Sequence, residues 1–228
     1  MNDFILNEGL IILGLIISLG AQIFVKSTYN KYRVIDNNNK KSGFEIAKEI
    51  LEKNNIKDIH IIETKGILTD HYDPVRKTVK LSTEVFNDNS IASTSISAHE
   101  IGHVLQHKQG YQLIKIRNGV LPLAIVGNKF GYIAILLGLI MGYINLVWLG
   151  IALIMLVLLF QLVTLPVELN ASSRAQVQLQ KLSLIDEEEK EGVNVMLKAA
   201  AFTYIASLLT TILQLLRLII LAGNQRDK

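Results

Sequence analysis

The 228-residue chain contains no cysteine. That excludes disulfides and cysteine metal ligands, and leaves the redox compartment unread. An excess of one charge sign is also lacking: the formal net charge is only +3, so a general nucleic-acid-binding surface is not indicated. The first apolar block has no basic n-region, Asp3 and Glu8 being its only charges, and no A-x-A site. It is therefore expected to stay as an uncleaved anchor rather than act as a signal peptide. No repeat of fixed period and no low-complexity linker occurs. Polar surface is short as well. The chain is 50% hydrophobic with a mean hydropathy of +0.35, too apolar for an ordinary soluble domain of this size.

The apolar residues are gathered into four blocks, Gly9 to Val25, Val120 to Met141, Leu146 to Leu165 and Ala199 to Leu221. Each approaches the roughly 20 residues that a helix needs to cross a bilayer. They divide the chain into an N-terminal anchor (1–25), a polar domain (26–118), a pair of transmembrane helices (119–166), a second polar segment (167–198) and a last span with its tail (199–228). Lys26, Lys31 and Arg33 follow the first block, Lys115 and Arg117 precede the second, and the Gly142 to Asn145 connection carries no charge. Positive charge collects on the cytoplasmic side, which predicts a cytoplasmic polar domain and an external N-terminus. Arg226 and Lys228 would then lie outside.

The polar domain reads as helix, three strands and helix. Ser42-Gly43-Phe44-Glu45 is a capping-box pattern that opens an amphipathic helix. Ile59 to Thr64 reads as a strand, Gly66 to Thr69 as a second short one and Asp70-His71-Tyr72-Asp73-Pro74 as a turn. Thr78 to Ser82 alternates as a third strand, expected to be an exposed edge on which a peptide could add as a further strand. The last helix starts at Asn89 or Ser90 and stops at Gly110.

That helix carries His99-Glu100-Ile101-Gly102-His103. Histidines four apart stack on one helical face, where both imidazoles can bind one Zn²⁺ while the intervening Glu takes a proton from the zinc-activated water. The implied chemistry is metal-assisted peptide hydrolysis. Gly102 costs about 1 kcal/mol against Ala in a helix, which is easier to explain if another backbone or the metal shell must come close. Catalytic zinc usually has three protein ligands. His60, His71, His107, Glu168 and the Asp186 to Glu191 run are the candidates. Glu168 is favoured, because two spans after His103 return it to the same side of the membrane and Pro166 suits the first position of a helix there. His60 is expected to face solvent, His107 to be peripheral and the acidic run to be a solvated cluster. His71 could donate to the tetrahedral oxyanion or stabilise its turn. The fold class is thus an α-helical membrane protein of about four transmembrane helices with a small α+β zincin-like domain at the membrane surface.

The HEIGH motif paired with a distal glutamate two spans later, plus Asp70 to Pro74 ahead of a strand ending Leu81-Ser82, resembles the YugP-like zinc membrane peptidases of bacteria over essentially the whole chain. The resemblance implies a multi-pass neutral zinc metallopeptidase of the bacterial cell membrane, with His99 and His103 as ligands and Glu100 as general base. Glu168 matches the downstream glutamate in its P-V-E-x-x-A-S-x-x-A context. A more distant likeness is to the HtpX and CAAX prenyl proteases, whose motif E-x-x-A-D reads Glu168-Leu169-Asn170-Ala171-Ser172 here. The final acid is missing, so any supporting role passes to Asn170, Ser172 or Arg174, or is absent.

Two other readings fit less well. An intramembrane site-2-type protease buries its motif in a spanning helix, whereas Asn87 to Gln109 is too polar for lipid and no L-D-G-like segment follows. A non-catalytic scaffold with a structural metal site would need four protein ligands and would not need Glu100. A peptide or membrane-protein substrate and the lipid bilayer are the expected partners, with no nucleic acid. Nothing in the sequence sets an oligomeric state.

Overall fold

Hydropathy decides where the long helices fall. The computed structural model describes residues 2–226, with side chains described for residues 8–223. The Asp3, Arg226 and Lys228 charges that enter the orientation expectation lie outside the described side chains. Four helices, α1 (Asn2–Tyr32), α5 (Gln112–Met141), α6 (Ile144–Lys181) and α7 (Glu189–Arg226), are long and apolar enough to cross a membrane. Between α1 and α5 lie α2 (Gly43–Lys53), β1 (His60–Thr64), β2 (His71–Asp73), β3 (Thr78–Ser82), α3 (Thr83–Asn87) and α4 (Ile91–Lys108). This is an α-helical membrane protein with a small α+β part.

The chain forms two compact units. Of the described residues, the first comprises 2–22, 112–166 and 202–226. Its core is Ile135, Val147, Ile151, Ile154, Leu215, Leu218 and Ala222. Gly131 and Gly150 let α5 and α6 touch: a Cβ on Gly150 would lie 2.6 Å from the Gly131 carbonyl oxygen, the close backbone approach that small residues give membrane helices.

The second unit comprises residues 23–111 and 167–201. The capping box at α2 forms as read, the Ser42 side chain accepting from Glu45 N and the Glu45 carboxylate accepting from Ser42 N. Ile46, Ala47, Ile50 and Leu51 then turn into the core. Ser90 is the N-cap of α4, its Oγ accepting from Ser93 N at 3.1 Å, and Gly110 ends that turn at φ +68°.

Five local expectations are corrected. β3 is central, not an edge: the sheet order is β1-β3-β2, with β1 parallel and β2 antiparallel to it. Val79 and Leu81 are fully buried, which suits a strand paired on both sides. The second strand is β2, not Gly66 to Thr69, because Gly66 (φ +114°) and Leu68 (φ 55°) break any extended run. The turn comes after β2, where Asp73 Oδ1 accepts from Val75 N and Arg76 N at 2.9 and 3.0 Å. Pro166 does not start a helix but lies inside α6; its missing N–H leaves one carbonyl of the preceding turn without its helical donor, a loss membrane helices tolerate. Finally, Glu189 of the acidic run is buried. Its carboxylate accepts from Asn38 N and Asp186 N, both at 2.9 Å, while Asp186 Oδ1 accepts from Glu189 N at 3.0 Å at the start of α7.

Candidate metal centre

Two helical segments of the second unit build the site. α4 supplies His99, Glu100 and His103, and the stretch of α6 after Val167 supplies Glu168. Their backbones meet at Gly102, where an added Cβ would lie 2.4 Å from the Ala171 carbonyl oxygen and 3.2 Å from Ala171 Cα. The interior glycine is thus required by the close approach of the second backbone, which sets Glu168 over the two histidines.

Nε2 of His99 and Nε2 of His103 both lie 3.3 Å from Glu168 Oε2. Glu168 is 3% and His103 9% exposed, so bulk water cannot separate these groups. The proton of His103 can be placed from its surroundings. Gln106 Nε2 donates to the Val167 carbonyl at 2.7 Å and to Asn170 Oδ1 at 3.0 Å. Gln106 Oε1 must therefore be the atom facing His103 Nδ1 at 3.0 Å, and Nδ1 carries the hydrogen. In the neutral ring Nε2 then aims a lone pair at a carboxylate oxygen. Two acceptors facing each other this closely need a cation between them, which beside a proton can be a metal ion. The spacing suits one: a tetrahedral zinc about 2.1 Å from each ligand separates ligand atoms by about 3.4 Å. His99, His103 and Glu168 are the described residues whose potential ligand atoms cluster in this way.

The histidines are oriented by uncharged partners. Ser172 Oγ lies 3.1 Å from His99 Nδ1, at the position where the E-x-x-A-D motif has its acid. Asn170 Oδ1 accepts from Gln106 Nε2 and, at 2.7 Å, from Arg174 Nε. The Arg174 guanidinium also bonds Gln109 Oε1 and lies over the Tyr111 ring. Ser172, Asn170 and Arg174 were legible as candidates. Gln106 was not singled out, although its spacing of three from His103 on one helix was a signal.

Glu100 is 7% exposed. Burial pushes its carboxyl above the ordinary range, with the neighbouring imidazoles pulling the other way. His71 sits exposed on β2 with Nδ1 2.8 Å from the Thr69 carbonyl. That carbonyl only accepts, so Nδ1 carries the hydrogen and Nε2 donates only in the doubly protonated ring. The interactions described for His71 do not reach His99, His103 or Glu168. His60 is exposed on β1. His107 is also exposed, its Nδ1 2.8 Å from the Tyr72 hydroxyl. The two ends of the Asp70 to Ser82 stretch touch: Asp70 Oδ1 accepts from Ser82 N at 2.7 Å.

Comparison with known proteins bears on the chain as a whole. Residues 9–223 match the family described as "Putative neutral zinc metallopeptidase". The chain is 39% identical over 212 residues, 93% of its own length and 94% of the other's, to "Putative membrane protease YugP" of Bacillus subtilis (strain 168). No solved structure matches it. A match of this extent places the chain in the family described as "Putative neutral zinc metallopeptidase".

Proposed function

We propose that the protein is a membrane-embedded zinc endopeptidase in which His99, His103 and Glu168 hold the ion and Glu100 is the general base. The observation that carries this is the convergence of two imidazole Nε2 atoms on one buried Glu168 oxygen at 3.3 Å, with the Nδ1 of His103 already held by Gln106. Zinc, when bound, supplies Lewis acidity, lowering the pKa of water and polarising a carbonyl.

The chain's own groups do the rest. Glu100, two-sided by the histidines in sequence and nearly dry, takes the proton from the attacking water and passes it to the departing amine. Gln106 and Ser172 fix the ring planes of His103 and His99, so the ligand set is formed before substrate arrives. The peptide would lie extended along the free side of β2, an edge strand, whose ladder groups away from β3 can pair with it. His71 contacts substrate there, donating through Nε2 to the carbonyl oxygen only when its ring is doubly protonated. The second unit faces the cytoplasm, because Lys26, Lys31, Arg33, Lys115 and Arg117 flank the first two spans on that side. Substrates are peptides or segments of membrane proteins.

The test uses full-length protein in detergent micelles, with zinc content by mass spectrometry and cleavage of an N-terminally blocked peptide library. Wild type should hold one zinc and cut internally. Glu100→Gln should keep the zinc and lose cleavage, whereas Glu168→Ala should lose the zinc. Cleavage by Glu100→Gln at the wild-type rate would overturn the assignment. Reporter fusions at Asn54 and Asn145 read the orientation, and an external signal at Asn54 would reverse it.

A further inference from the structure

The first unit holds a cavity of about 400 Å³ among its membrane helices. Its size is that of a ligand pocket, which typically spans about 300–1,000 Å³. All four long helices contribute polar side chains: Gln22 from α1, Asn128 and Tyr132 from α5, Gln161 from α6, and Ser207 and Gln214 from α7. By helical rise, Tyr132 and Asn128 lie about 14 and 20 Å from the Met141 end of α5. A hydrocarbon core is about 30 Å thick, so these groups sit at lipid depth.

Carboxamides are costly there unless they are matched, and the matching is incomplete. Tyr132 Oη donates to Gln214 Oε1 at 2.5 Å and Gln161 Nε2 donates to Ser207 Oγ at 3.0 Å. Gln161 Oε1 is buried with no hydrogen-bond partner among the described residues. The last side-chain torsion of Gln is soft, so a small rotation turns that oxygen to the cavity. Asn128 and Gln22 bond no other described side chain. A second cavity of about 370 Å³ shares Asn128, Val157, Gln161 and Ser207 with the first and runs on among apolar residues such as Leu121 and Ile125.

The lining has no Asp, Glu, Lys, Arg or His. That chemistry does not suit an ion or a phosphate headgroup, and an acyl chain has no use for amides. It suits a ligand offering N–H and C=O groups together without charge, as a peptide main chain does. Within lipid, main chain that has left the helix is tolerated only where protein groups satisfy it. We infer that this cavity binds a locally unwound, uncharged stretch of a substrate's membrane-spanning segment. The identity of the ligand as peptide rests on the peptidase reading above.

The experiment uses full-length Glu100→Gln protein in nanodiscs, so that binding is read without turnover. A photo-crosslinking phenylalanine is placed at Val157, or at Tyr132 in a second variant. Two synthetic 20-residue Leu/Ala membrane peptides are offered, one uninterrupted and one with a central Asn-Gly-Pro step. The interrupted peptide should crosslink at least tenfold more, and Gln161→Leu with Asn128→Leu should abolish the difference. Ser207→Ala, which leaves the volume in place, should weaken it severalfold and covers the case in which the double variant does not fold. Equal crosslinking of both peptides, or none of either (a cavity holding water only), overturns the proposal. Cleavage by the wild type is scored separately. Cleavage without selective crosslinking sinks this inference alone, and selective crosslinking without cleavage by wild type sinks the peptidase reading alone.

Discussion

Gly102→Ala should disable the metal centre from a position that touches no ligand. The added Cβ would sit 2.4 Å from the Ala171 carbonyl oxygen, about 1 Å inside ordinary contact. Ala171 is fully buried, so the strain is relieved by pushing the two helix backbones apart. Glu168 moves with its helix, and the 3.3 Å between its Oε2 and each Nε2 opens to about 4 Å. Ligand distances for zinc tolerate only about 0.2 Å. A loss of about 100-fold in zinc affinity is expected, the upper end of what displaced supporting groups cost. Without zinc the change is small, since about 1–3 kcal/mol of overpacking is partly offset by about 1 kcal/mol of helix propensity. With free zinc at 100 times the wild-type Kd, stabilisation by the ion falls from about 2.7 to about 0.4 kcal/mol. For a chain of this size that shrinks a zinc-dependent rise in Tm of about 5–10 °C to about 1 °C. The assay is thermal unfolding with and without zinc, beside a chelator-competition Kd. Gly119→Ala is the control, since nothing lies within 4 Å of its Cβ and only the propensity gain should appear. If Gly102→Ala binds zinc with wild-type affinity, the close approach of Ala171 is not what positions Glu168.

Other perturbations test separate links. Gln106→Leu and Ser172→Ala should each weaken zinc binding by about 10–100-fold, read by chelator competition, and unchanged Kd values would deny these side chains an orienting role. Gln106→Leu should be the worse, because it also strands the Val167 carbonyl and Asn170. Val79→Pro should unfold the second unit rather than weaken substrate binding, since β3 is paired on both sides; circular dichroism of a well-folded variant would contradict the sheet order. Burial raises the Asp70 carboxyl even though Ser82 bonds lower it. A carboxyl raised in the folded state contributes stability that is complete below its unfolded value of about 3.9 and declines as pH climbs to the folded value. Asp70→Asn should therefore lose less stability than wild type on going from acid pH upward through that window, and parallel Tm curves would refute this.

What the sequence disclosed follows the range over which each constraint acts. The alternation of Thr78 to Ser82 and the capping box at Ser42 are local, and both elements form as read. The place of β3 within its sheet is not local: β1 passes over β2 in sequence to pair with it in parallel. Gly66 and Leu68 take positive φ within a stretch whose composition reads as strand. At Pro166 a sound local rule for helix starts is overridden by the continuity of an apolar helix. In the site, Glu168 was legible as a candidate because two apolar blocks separate it from His103, which would return it to the same side of a membrane. Gln106 was hidden, because its partners Val167 and Asn170 lie 61 and 64 residues further on and a helical Gln reads as surface.

The uncharged partners of the histidines set the electrical character of the centre. Among the proposed ligands, their direct hydrogen-bond partners and the proposed base, the carboxylates are Glu100 and Glu168, the two imidazoles would be neutral as ligands, and Ser172 and Gln106 add no charge. One dipositive ion brings the sum to zero. A centre of zero net charge exerts little pull on an approaching peptide, whether acidic or basic. Long-range attraction, and with it any dependence of kcat/KM on ionic strength, must then arise from surface groups such as Lys80 on β3 and Lys77 just before it, and not from the metal.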